Sequence, residues 1–274
     1  MRGRSRRSPE RVLRDLAEGR GAGRGEQYRS FFTVREFSSN GYSKRVFGHK
    51  SRRVQELVSN IEYAIFLLLD WNDRVVDILE QHVLHPDVTG PIASRLGYRH
   101  PKLSRSIPAP FTTDLVAVLD DKLKGDRIAV SCKPAVKLGN RRVLEKLEIE
   151  RRAWESLGVP WFLATDREYT RAVKTNLEHL YRYRCLEGFD VPEPETAEAA
   201  TEYLLDQLRT APTLSFSRAC KSVDERLHLP PRASMVLGWH AMATKRWQVD
   251  LTQRISGARP LPGLRRRTAI TRKG

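Results

Sequence analysis

Leu57, Ile61, Ala64, Ile65, Leu68 and Leu69 recur at intervals of three and four, the spacing that lines one face of a helix, and they predict an amphipathic helix over residues 54–70. Glu62 breaks the pattern: Val58, Ile65 and Phe66 lie one turn away, so its carboxylate sits at the edge of the apolar face and needs a partner. Apolar runs then predict strands over 75–84, over Leu115 to Leu119 after Thr112-Thr113-Asp114, and over 127–133, the last two joined as a hairpin through the polar turn 120–125. A further hairpin of two short strands is predicted within 28–47, where Phe31, Phe32, Val34 and Phe37 face Val46 and Phe47 across Ser38-Ser39-Asn40-Gly41, because Asn-Gly between apolar runs is a strong turn signal.

Past Pro134 the helical period returns in Leu144, Leu147, Ile149 and Trp154, with Gly158 as the stop and residues 159–164 as another strand. Helix, strand, hairpin, helix and strand make an α/β sheet layer. Residues 171–181 give one more helix, and 187–198, with Pro192 and Pro194 among acids, reads as a linker. Three helical patterns around 203–208, 216–227 and 234–243, then a strand over 246–252, suggest a winged-helix or helix-turn-helix module. The expected division is a basic flexible arm at 1–27, a first domain at 28–168, a second at 169–254 and a basic tail at 255–274.

Charge changes this picture. The chain carries a formal +16, but residues 1–53 hold 15 basic and 5 acidic side chains and residues 254–274 hold 7 basic and none acidic, so the body between is near neutral. Basic ends on a neutral body point to a polyanion such as DNA, since each cation placed by a phosphate releases condensed counterions. Gly19, Gly21, Gly23 and Gly25 lack the Gly-Lys-Ser/Thr ending of a phosphate loop and read as a flexible linker that defeats a helix in this arm. The longest apolar run, Ala64 to Leu69, is far short of the roughly 20 residues of a membrane span, and no apolar stretch follows the basic Met1 to Arg7, so a cytoplasmic, nucleoid-associated protein is expected. Cys132, Cys185 and Cys220 form no paired motif; the latter two are expected to be buried.

The sharpest constellation is Glu62 on a helix, Asp114 on a strand and Lys133 at the end of its paired strand. Two such carboxylates can share Mg²⁺, with the Cys132 carbonyl completing the shell, and a lysine beside them can position water or steady charge on a phosphate. By strand alternation Ser131 and Lys133 face the carboxylates together. His82 and His85, three apart at a strand end, point to opposite sides and read as surface residues. Asp120 with Asp121 reads as a polar turn, and Glu148 with Glu150 does not share a helix face, so neither is a dyad. Trp239 belongs in a core, whereas Lys245 and Arg246 are candidates for phosphate contact and Arg265, Arg266 and Arg267 for a disordered DNA-binding tail.

Several segments together, Ser59-Asn60-Ile61-Glu62-Tyr63-Ala64, Val76-Asp77-Ile78-Leu79-Glu80-Gln81, Thr112-Thr113-Asp114, Ser131-Cys132-Lys133-Pro134 and Leu144 to Trp154, resemble the TnsA family of transposon-end endonucleases, from about Glu18 to Asp166. The resemblance implies a restriction-endonuclease-like mixed sheet flanked by helices, a smaller carboxyl-terminal winged-helix domain and dependence on Mg²⁺, with Mn²⁺ as substitute. It implies Glu62, Asp114 and Lys133 as the catalytic trio, Glu62, Asp114, Ser131 and Cys132 around the metal, and Glu150 in support. It implies cleavage at the 5′ ends of a transposon, beside a TnsB-like subunit that cuts the 3′ ends and a TnsC-like ATP-dependent regulator. Thr113 stands where the wider nuclease pattern often has proline, and Ser131 where it often has an acidic or amide side chain. A serine hydroxyl is a weaker Mg²⁺ ligand, which keeps open a non-enzymatic DNA-binding adaptor as the alternative.

Overall fold

The computed structural model describes residues 7–36, 43–120 and 127–267, and the chain divides into two units, Met1–Tyr169 and Thr170–Gly274. The first unit opens on α1 (Pro9–Ala17), capped by the Ser8 hydroxyl and started by a proline whose missing N–H costs nothing there. The expected helix-free arm is therefore wrong: the helix is complete before the glycines begin, and it buries Val12 and Asp15. Arg7 clasps this segment, bonding Asp15 at 2.9 Å and Glu36 at the far side and lying 5.2 and 5.0 Å over the Phe31 and Phe32 rings.

The hairpin expected within 28–47 forms differently. Residues 28–36 hold no strand, Asn40-Gly41 lies outside the described residues, and β1 (Lys44–Gly48) instead pairs antiparallel with β2 (Arg53–Leu57) through a turn at 49–52. That strand occupies the start of the expected helix, because residues 53, 55 and 57 are buried and 54 is exposed. The helix α2 runs Asn60–Trp71.

The central sheet has the order β3 (Val75–Leu84), β4 (Phe111–Leu119), β5 (Arg127–Cys132), β6 (Trp161–Ala164), the first three antiparallel and β6 parallel to β5. A helix not anticipated, α3 (Pro86–Arg95), follows β3, and α4 (Arg141–Ser156) makes the crossover from β5 to β6. Both supply the cluster built on Ile92, Ile149, Ala153 and Trp154 against Leu79, Val116, Val118 and Ala129. The turn residues 121–126 lie outside the described residues. This is the mixed α/β layer the sequence implies.

The second unit contains α5 (Arg171–Tyr181), α6 (Pro194–Thr210), α7 (Phe216–Arg226), α8 (Ala233–Ala243) and a ribbon of β7 (Trp247–Gln248) with β8 (Arg265–Arg266). The stretch expected as a linker is partly the first turns of α6. Asp224 on α7 caps α8 by accepting the Arg232 and Ser234 N–H groups at 2.9 and 2.8 Å. The helices α6 to α8 with a ribbon agree with the expected element types, and α8 buries Ala233, Ser234, Leu237, Gly238, Trp239, Ala241, Met242 and Ala243. Trp247 is buried as well as Trp239. Cys185 is exposed rather than buried, whereas burial pushes the Cys220 thiol well above its usual range.

Candidate active site

Glu62 is set by a capping box. Ser59 Oγ accepts the Glu62 N–H at 3.1 Å, and the carboxylate reaches back, Oε1 to the Ser59 hydroxyl at 3.0 Å and Oε2 to the Val58 N–H at 3.0 Å. Gln81 Nε2 adds a third donor at 3.2 Å, and the side chain is buried with Glu62 at 1% exposure. The apolar surroundings expected from the sequence are thus real, and polar donors satisfy the group within them.

Asp114 is equally buried, inside β4 rather than before it. The β4–β5 ladder reaches Leu115↔Val130, and beyond it the Cys132 N–H donates to Asp114 Oδ2 at 2.7 Å. Lys133 Nζ lies 3.0 Å from the same oxygen and 2.9 Å from the Cys132 carbonyl, with its side chain 24% exposed at the mouth of the site. Asp114 and Lys133 are brought together directly. Glu62 bonds Gln81, which the register Glu80↔Leu115 and His82↔Thr113 sets opposite Asp114 on the neighbouring strand.

Ser131 is placed elsewhere. Its hydroxyl bonds Glu150 and accepts the Trp161 indole N–H at 3.2 Å, on the face of Ala129 and α4. Thr113 shares that acceptor, donating to Glu150 Oε1 at 2.7 Å while accepting the Trp154 indole N–H at 2.7 Å. Alternation along β5 holds through Ser131 but not on to Lys133, which follows the strand, so the two side chains part company and the expected shared face does not form. Glu150, Thr113, Ser131 and the two indoles form a closed polar network behind the trio; Thr113 and the indoles carried no sequence signal for it.

His82 is buried, not a surface residue: its ring lies 6.3 Å from Tyr28 and 5.6 Å from Trp154, and burial pushes its pKa down to about 4. His85 caps α3. Among the described residues no three His, Cys, Asp or Glu side chains converge on one ion position. The donor set that remains, two buried carboxylates and a main-chain carbonyl beside Gln81 Oε1, a buried acceptor with no donor among the described residues, is all oxygen. It fits a hard cation that keeps most of its shell as water and phosphate.

The basic candidates lie in the second unit. Arg246 bonds Glu198 at 2.5 Å and Glu202 at 3.5 Å, Arg266 bonds Glu202 at 3.2 Å, and Arg265 and Arg266 belong to the ribbon instead of a disordered tail. Arg267 donates its N–H to the Arg246 carbonyl, and Lys245 sits at φ +60° after α8. Exposed pairs of this kind contribute about 0–1 kcal/mol, so a phosphate can displace the glutamates.

A family model described as TnsA-like endonuclease N terminal matches residues 72–166, and one described as TnsA endonuclease C terminal matches residues 170–251. Glu62 stands ahead of the first match. The transposon Tn7 transposition protein TnsA of Escherichia coli is 41% identical over 174 residues, which cover 64% of this chain. The match spans 63% of that relative's own length, under two thirds.

Proposed function

We propose that the chain, matched by TnsA endonuclease models over 72–166 and 170–251, is a TnsA-type divalent-metal-dependent DNA endonuclease subunit of a heteromeric transposase, cleaving the 5′ ends of a transposon. One observation carries the reading: the buried Asp114 carboxylate is held by the Cys132 N–H and Lys133 Nζ, with Glu62 fixed across Gln81.

Glu62, Asp114 and the Cys132 carbonyl would hold Mg²⁺, with Mn²⁺ as substitute, and such a cation, when bound, acidifies water and neutralises phosphate charge. Lys133 has the complementary task. Its side chain is partly open to solvent, where duplex DNA arrives, and its positive charge faces the scissile phosphate and steadies the charge that grows there during attack. Glu150 keeps β4 and β5 at fixed separation by tying Thr113 to Ser131. Lys245, Arg246 and Arg265 to Arg267 supply backbone contacts from the second unit, which we assign as a winged-helix-type DNA- or partner-binding domain. A subunit that cuts the 3′ ends and an ATP-dependent regulator are the partners this role requires.

The adaptor alternative leaned on Ser131. A serine engaged with Glu150 is compatible with an endonuclease, because the position supports the sheet behind the site instead of filling the metal shell. The test is 5′-end cleavage by Asp114→Ala in the presence of the partner transposase. Loss of cleavage with an unchanged circular-dichroism spectrum is expected, and cleavage at the wild-type rate would overturn the reading.

A further inference from the structure

We propose that Gln81 is a positioning residue for Glu62, and that its side-chain carbonyl is the acceptor for a water of the metal shell. The inference deepens the endonuclease reading and rests on it.

Gln81 is fully buried in the interior of β3, yet its φ is +51°, the left-handed region that a side chain with a β-carbon enters only under strain. Something must hold it there. The glycine segment does, along the outer edge of β3: Gly21 accepts the Val83 N–H at 2.8 Å, Tyr28 donates to the Glu80 carbonyl at 2.8 Å, and Asp77 accepts the Gly25 N–H at 2.9 Å. A β-carbon on Gly21 would meet Val83 Cγ2 at 2.5 Å and the Gln81 carbonyl at 3.2 Å, so the strap can lie this close only as glycine.

The kink has a geometric product. Leu79 and Val116 face the α4 cluster, but so do His82, tilted against Trp154 with ring centroids 5.6 Å apart, and Thr113, bonded to that indole. Alternation of faces is therefore broken in both strands between these positions, where Gln81 and Asp114 stand opposite each other. Unbroken alternation from Leu79 and Val116 would turn His82 and Thr113 away from α4, and with them the placement of the two residues between.

The chemistry of the amide fixes its direction. A carboxylate only accepts, so the nitrogen must be the end that faces Glu62 Oε2, and the oxygen is left buried with no donor among the described residues. A buried acceptor left unmet is destabilising, and the donor class that belongs beside a metal-holding carboxylate is bound water. A glutamate here would set two acceptors against each other; the amide gives one donor to Glu62 and one acceptor to the shell.

The experiment is calorimetric titration of Mn²⁺ into the full chain with a short duplex present, for wild type, Gln81→Gly and Gln81→Met. Glycine accepts the left-handed backbone and methionine keeps the volume, so one of the two folds whichever demand dominates. Both are expected to weaken Mn²⁺ roughly 10- to 100-fold, the range for loss of an outer-shell partner, while duplex affinity in EDTA stays at the wild-type value. The Mg²⁺ concentration for half-maximal cleavage should rise by the same factor with KM for DNA unchanged. A folded variant that binds Mn²⁺ like wild type overturns the inference alone and leaves Gln81 a purely structural kink. Wild type that shows no saturable Mn²⁺ binding lost in Asp114→Ala overturns the endonuclease reading and this inference with it.

Discussion

Lys133 Nζ stands between two oxygens, Asp114 Oδ2 at 3.0 Å and its neighbour's carbonyl, Cys132 O, at 2.9 Å, so one ammonium ties the strand that bears the carboxylate to the strand that ends beside it. This position gives the lysine a role in rate rather than in metal affinity. Lys133→Ala should lower the cleavage rate by roughly 10²–10³-fold, the scale for losing one transition-state stabiliser. Mn²⁺ binding measured on the same protein should move little, and a large loss of metal affinity would show the role to be mistaken.

Glu150 accepts from Thr113 and from Ser131, and each of these accepts an indole N–H in turn. Glu150→Ala leaves buried hydroxyls without their acceptor, at about 1–3 kcal/mol each. Glu150→Gln keeps an acceptor oxygen and should lose less. Urea midpoints ordered wild type, glutamine, alanine would bear this out; equal midpoints would show that the network carries no stability.

Gly21 and Gly23 both have positive φ, +72° and +87°, but a β-carbon at Gly23 meets nothing within 4 Å. Gly23→Ala should therefore lose only the backbone term of about 1–2 kcal/mol. Gly21→Ala should lose that plus about 1–3 kcal/mol of overlap with Val83 and Phe31, and should weaken Mn²⁺ as well by releasing the kink at Gln81. Thermal melts of the pair separate strain from contact, and similar losses would show that the strap does not press on β3.

His82 has its pKa held near 4 by burial, below the 6.5 of an exposed histidine. Between those values the unfolded chain binds a proton that the native state refuses, so this contribution is complete above pH 6.5 and is lost as pH falls toward 4, about 3 kcal/mol in all. Glu80 titrates in the same window with the opposite sign, since burial lifts its carboxyl to about 7 despite the Arg53 guanidinium at 2.9 and 2.7 Å. The quantity to measure is the difference in stability between wild type and His82→Phe from pH 4.5 to 7.5. It should favour the phenylalanine variant increasingly as pH falls, and a flat difference would exclude the assignment.

The strands at 75–84 and 127–132 and the helix at 171–181 were legible because their apolar periods are long and unambiguous. Residues 53–57 were not: Val54 and Leu57 fit the helical spacing of the next segment, and only pairing with β1 reveals the strand. The helix α3 hides behind Pro86, Gly90 and Pro91, although His85-Pro86-Asp87 is a usable start signal, as Ser8-Pro9-Glu10 is for α1. At the site, Glu62, Asp114 and Lys133 could be named from residue type and resemblance, but Ser131 was misplaced because face parity requires knowing where a strand ends. Gln81 lies in a segment that carries the resemblance, but nothing in the sequence signals its backbone, since a left-handed glutamine arises from tertiary contacts with a strap some sixty residues earlier.

That separation in sequence bears on how the protein is made. The ribosome releases Gly21 and Tyr28 well before Val83 and Glu80, the groups they must meet. The leading segment therefore waits, docked to nothing in the sheet, while a loop of more than fifty residues closes at a cost that grows only slowly with its length. The proposed site is then among the last local structures the nascent first unit can complete, so a chain stalled or truncated before β3 emerges carries Glu62 without the Gln81 amide that bonds it.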